Sequence, residues 1–144
     1  MEQIYYLTLD EAVKIHRATI EKSGGGDIGD LDLGRLDSVL THIQNDDYYP
    51  TFIDKLVHLF FCSCKFHCFT DGNKRIAITL TADFLLRNGY MGIANVYFRE
   101  MENISIHVAS GKVDNFLLKD IIQSIIYEDD FSEELKLQLI DAII

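Results

Sequence analysis

Residues 66–76 read FHCFTDGNKRI: a histidine, an acid, a Gly-Asn pair and two cations in eleven positions. The segment before it, from about Phe52 to Phe66, is apolar almost all round, which predicts a central helix. The segment after it, Lys74 to Arg87, predicts a second helix, closed by Asn88-Gly89. Lys74 and Arg75 then fall in the first turn of that second helix. Unpaired N–H groups give a helix start positive partial charge, so cations are ordinarily unfavourable there. A bound anion such as a phosphate makes the arrangement favourable. The stretch reads as a polar loop between two core helices, and as the part of the chain that carries chemistry.

Working outward, Thr8 can cap a first helix, with Glu11 three residues on completing a capping box. Val13, Ile15, Ala18 and Ile20 supply its apolar residues, and Gly24 to Gly26 stop it. A short helix follows over Leu33 to Ile43, and QNDDYYPT, residues 44–51, is a loop. Pro50 suits the first turn of the helix that comes next. Beyond the second core helix, YMGIANVYF, residues 90–98, reads as a short extended connection. Met101, Ile104 and Val108 share a helical stripe ending at Gly111, and Phe116 to Tyr127 and Ser132 to Ile144 are the last two helices. With a single proline and no sustained β-branched alternation, the prediction is an all-α fold of seven helical segments in one domain over residues 1–144.

Composition narrows the function classes. A chain of 144 residues, 48% apolar, has enough core to fold and is no disordered tail. A net charge of −10 argues against general nucleic-acid binding, because no basic surplus offsets the repulsion of the phosphates. No apolar run is long enough to span a bilayer, and MEQIYYLTLDEA at the start lacks the cationic and apolar regions of a secretion signal. The three cysteines, Cys62, Cys64 and Cys68, make no disulfide framework. The expectation is a cytoplasmic protein without nucleic-acid or membrane partners.

The loop's residues can be read one by one. Gly72-Asn73 permits a tight turn that points several backbone N–H groups one way, an anion-binding concavity. Lys74 and Arg75 add full charges, and Arg75 can grip a phosphate through two parallel hydrogen bonds. Asp71 is a hard oxygen ligand of the kind used with phosphates to hold Mg²⁺. His67 titrates near neutrality and can take the proton of an attacking hydroxyl, while Phe69 anchors the loop in the core. Together they suit transfer of a phosphorus-containing group from a nucleotide. Taken singly, His67 could equally be a helix-end residue, Asp71 an N-cap, and Lys74 and Arg75 solvated charges.

Other candidates are weaker. Cys62 and Cys64 stand two apart on a helix and point nearly opposite ways, so they read as core residues rather than zinc ligands. Cys68 is a poor nucleophile candidate, since its neighbour His67 rarely reaches it as a base from within one loop. Gly24 to Gly26 lack the Lys-Ser/Thr ending of a phosphate-binding loop. His16, His42, His58 and His107 read as isolated structural or exposed residues.

HCFTDGNKR, residues 67–75, resembles the central motif of the Fic/Doc family, and the lysine at its eighth place is similar to the death-on-curing (Doc) branch. LTLDEAVKIH (7–16), GGGDIGDLDLGRLDSVL (24–40), FLLRNGY (84–90) and HVASGKV (107–113) extend the likeness. The resemblance implies a compact helical bundle of about six or seven helices, with a flap over the active-site loop that falls in Gln44 to Tyr49. It implies His67 as general base, Asp71 as Mg²⁺ ligand, Gly72 and Asn73 as an anion hole, Lys74 and Arg75 as phosphate contacts and Phe69 as a structural anchor. It also implies ATP or another nucleotide as co-substrate, and a hydroxyl of a target protein as acceptor. For the Doc branch that target is a translation elongation factor. His16 sits where the branch often carries a histidine that helps support the site.

Family members that transfer AMP usually carry a second arginine three places after the first; here that position is Ile78. Its absence favours Doc-like phosphate transfer, whereas Gly72 follows the AMP-transferring pattern, Doc itself having alanine there. AMP transfer is the alternative, and a catalytically silent binding module is a second. Many members are restrained by a helix bearing Ser/Thr-x-x-x-Glu-Gly/Asn. The nearest stretch here, Phe98 to Asn103, begins with Phe98 in place of a hydroxyl residue, so a separate antitoxin-like partner is expected. Leu135, Leu139 and Ile143 form a C-terminal stripe flanked by Ile140 and Ile144, which faces the core, a partner helix or a second copy of the chain.

Overall fold

The computed structural model describes residues 3–22, 24, 32–65 and 73–144. These form seven α-helices and no strand: α1 (Leu9–Lys22), α2 (Leu33–His42), α3 (Phe52–Lys65), α4 (Asn73–Arg87), α5 (Ala94–Ala109), α6 (Asn115–Tyr127) and α7 (Glu133–Ile143). The all-α expectation and the number of helices both hold. No helix among the described residues is long and apolar enough to cross a membrane.

Local chemistry sets the helix ends. At α1 the Thr8 hydroxyl accepts from Glu11 N–H at 3.2 Å, and the Glu11 carboxylate accepts from Thr8 N–H at 3.0 Å. That reciprocal box was legible in the sequence. Asp32, Asp114 and Ser132 cap α2, α6 and α7 through their side-chain oxygens. At α3 the sequence reading needs correcting. Thr51 is the cap: its hydroxyl accepts from Asp54 N–H at 3.1 Å, while Asp54 accepts from Thr51 N–H at 3.3 Å. Pro50 therefore stands outside the helix rather than in its first turn. A hydroxyl and an acid satisfy two of the orphan donors, which a proline ring cannot do.

α4 closes as expected. Gly89 adopts φ +92°, its N–H reaches Leu86 O, and Tyr90 N–H reaches Leu85 O. The extended connection expected over residues 90–98 is largely absent, because α5 already begins at Ala94. Tyr97 explains the difference. It continues the Met101, Ile104 and Val108 stripe by one turn, and all four residues are buried. Burial on a helical face outweighs the β preference of Val96, Tyr97 and Phe98.

α3 and α4 carry the core. α4 touches α1, α3 and α5, while α3 also touches α2, α5 and α6. Leu56, Leu59, Phe60, Leu80, Phe84 and Leu85 have at most 0% exposure. α7 packs on α6 with Leu135 and Leu139 inward, so the C-terminal stripe faces the chain's own core. Ile140 and Ile144 beside it are exposed.

Candidate functional site

Of the residues singled out in the motif, His67, Phe69, Asp71 and Gly72 lie outside the described residues, as does Cys68. Asn73, Lys74 and Arg75 are described, and they open α4. Their placement follows from helical geometry. Ile76, Ala77 and Ile78 of the next turn are buried, so Lys74 and Arg75 are left exposed and Asn73 half-buried. No acid shares that first turn. Two cations thus stand at the positive end of a helix, where an anion would be stabilised by both.

The end of α3 adds to this. Burial pushes the Cys64 thiol up to about 12, against the pull of Lys74 and Lys65. Both lysines act on one thiol, so the end of α3 and the start of α4 bring positive charge to the same neighbourhood. A thiol held that high is no nucleophile at neutral pH. Cys62 and Cys64 are both buried, consistent with core roles. Ile78 is 5% exposed, a core residue where AMP-transferring relatives would place an arginine.

The loop 44–49 between α2 and α3 is internally bonded and tied down. Asn45 N–H reaches His42 O, Tyr49 N–H reaches Asn45 O, and Asp47 N–H reaches the Asn45 side chain. Lys55 of α3, its side chain 0% exposed, donates to Ile43 O at 2.7 Å and to Asp46 Oδ1 at 2.8 Å. The Tyr49 hydroxyl lies 3.2 Å from His58 Nε2. A groove beside the loop is lined by Tyr48, Tyr49, Val57, His58, Phe116 and Lys119. The Lys119 ammonium pairs with Asp54 at 2.8 Å.

Sequence reading missed Lys55, although a lysine in the second half-turn of a largely apolar helix was the available signal. It also treated His58 as isolated, whereas Tyr49 and Cys62 both contact it. Burial, and next the charge of His42, hold His58 below its ordinary pKa. His16 is fully buried in α1, His42 is exposed and His107 half-buried. Among the described residues, no His, Cys, Asp and Glu side chains gather in a group that could hold a metal ion.

The sequence model of the Fic/DOC family matches residues 6–85, a span that holds α1 to α3, α4 up to Leu85 and the whole 67–75 motif. α5, α6 and α7 lie beyond it. No curated protein matches the chain. With more than half of its length matched, and with Lys74 and Arg75 in the first turn of the expected helix, the chain belongs to the Fic/DOC family, whose members generally transfer nucleotide-derived groups to proteins.

Proposed function

We propose that the chain transfers the terminal phosphate of ATP to a hydroxyl side chain of a target protein, in the manner of the Doc branch, with residues 1–144 acting as one domain. The carrying observation is the first turn of α4, which holds no acid of its own and leaves Lys74 and Arg75 exposed at the positive helix end. That is a phosphate-binding arrangement. The buried Ile78 favours phosphate over AMP transfer, since no cation stands at that position to orient a triphosphate.

In this reading His67 takes the proton of the attacking hydroxyl. The hydroxyl oxygen bonds to the γ-phosphorus, the bond to the bridging oxygen breaks, and ADP leaves with the electron pair. Gly72 and Asn73 donate backbone N–H groups to the phosphate oxygens, and Lys74 and Arg75 offset their charge. Phe69 fixes the loop. Asp71, two places before Asn73 in the sequence, fits Mg²⁺ by its donor chemistry, and the ion when bound would neutralise phosphate charge. The loop 44–49 receives the target segment along its backbone.

An enzyme of this kind would harm its own cell if unrestrained. Within these residues the nearest match to the inhibitory pattern has Phe98 at the hydroxyl position, so we place control in a separate antitoxin-like protein. A translation factor is the target class that the Doc likeness suggests. Incubation with cell-lysate protein and ATP labelled at either the γ- or the α-position tests the reading. Label on protein from the γ-position is expected. Label from the α-position alone would replace phosphate transfer with AMP transfer, and no label from either would leave a silent binding module.

A further inference from the structure

Two side chains of α3, one turn apart, hold the two ends of the loop 44–49. An ammonium with no exposed surface is costly unless paired and fully hydrogen-bonded. Lys55 therefore requires both Ile43 O and Asp46, and this fixes the start of the loop against α3. The Lys55 ammonium also lies 5.6 Å from the centre of the Tyr6 ring, so the N-terminal segment packs over it. At the far end, the Tyr49 and His58 rings sit 4.5 Å apart between centroids, joined by the hydroxyl contact at 3.2 Å. Residues three apart share a helix face, so both anchors act from one side. Between them Asp47 and Tyr48 are exposed, Tyr48 at 78%.

We infer that Lys55 and His58 are positioning residues that hold the 44–49 loop ready for the target segment. The inference rests on the reading of that loop as the target-binding flap. Short surface loops otherwise sample many conformations, and ordering one on binding weakens association. Two anchors set before the target arrives remove that loss. Their effect should therefore fall on target binding and leave nucleotide binding alone.

The test uses Asp46→Ala, Tyr49→Phe and the double variant, with Asp46→Asn as the conservative rescue, since asparagine keeps an acceptor for Lys55. Label transfer from γ-labelled ATP is followed at rising lysate-protein concentration, alongside ATP affinity, melting temperature and deuterium exchange of the 44–49 amides. Loss of the charge-assisted contact should speed exchange in the loop about tenfold and raise the half-saturating protein concentration by a similar factor. Maximal transfer and ATP affinity should stay at wild-type values, and Asp46→Asn should recover most of the loss. Unchanged loop exchange overturns the inference. So does a fall in maximal transfer without a shift in half-saturation, which marks a merely structural effect. If the wild type labels nothing, the transfer reading fails and takes the positioning role with it. If the wild type labels and the variants match it, the positioning role alone falls.

Discussion

Tyr97 has no exposed surface, and its hydroxyl meets Thr81 between α5 and α4. Burial pushes its phenol well up, the Thr81 bond pulling the other way. Tyr97→Phe keeps the ring and leaves Thr81 bonded to Ala77 O, so urea unfolding should show a loss of only about 1 kcal/mol. A loss several times larger would mean that the pair does more than join two helices. For chemistry, His67→Ala should lower transfer by a factor on the order of a hundred to ten thousand while ATP binding persists. Arg75→Ala should weaken ATP binding as well. Labelled-ATP transfer and equilibrium binding separate the two, and near-normal turnover in His67→Ala would remove the proposed base. Of this site, the placement of Lys74 and Arg75 in the first turn of α4 was readable from spacing. Lys55 was not, because its value depends on Asp46 and Ile43 O lying within reach, which spacing does not state.

α3 begins where Thr51 and Asp54 satisfy each other's backbone donors. Burial alone would raise the Asp54 carboxyl, yet hydrogen bonds from Lys119 and Thr51 outweigh it and hold the group below its ordinary value. Thr51→Ala should cost about 1 kcal/mol of stability, read from thermal or urea melts. Since α3 also carries both loop anchors, faster deuterium exchange at residues 44–55 should accompany the loss. At the other end of α4, an added Cβ on Gly89 meets no atom within 4 Å, so Gly89→Ala tests backbone strain alone. About 1–2 kcal/mol is expected from its positive φ. The Thr8–Glu11 start of α1 was plain in the sequence, whereas the Thr51–Asp54 start of α3 was masked by Pro50 beside it. The start of α5 was not plain either, because residues 90–98 are rich in β-preferring side chains and only the buried slot for Tyr97 settles the matter.

Across the molecule, acid should destabilise the fold in two windows. His58 is held below its ordinary pKa, so the unfolded chain takes up that proton first as pH falls. Its contribution is complete above about pH 6.5 and is lost as pH drops through the lower native value. Glu11, lowered chiefly by the Thr8 backbone hydrogen bond, and Asp54 add a second loss below about pH 4. Melting temperature should therefore fall on acidification from neutrality, and His58→Gln should flatten the first step only. A melting temperature that rises between pH 7 and pH 5.5 would contradict this. In cells, the wild-type chain expressed alone should slow growth where His67→Ala at equal level does not. Harmless wild-type expression would end the toxin reading.

The sequence by itself determined the helix count, the cap at Thr8, the Gly89 stop and the motif that marks the family. Each is local chemistry, settled by residues within a turn or two of one another. The tertiary structure alone decided that Ile78 and Tyr97 belong to the core, that the C-terminal stripe faces inward, and that Lys55 and His58 hold the 44–49 loop. Those outcomes depend on which surfaces meet across the bundle. Burial and pairing between residues far apart in sequence are set by packing, and no local pattern encodes them.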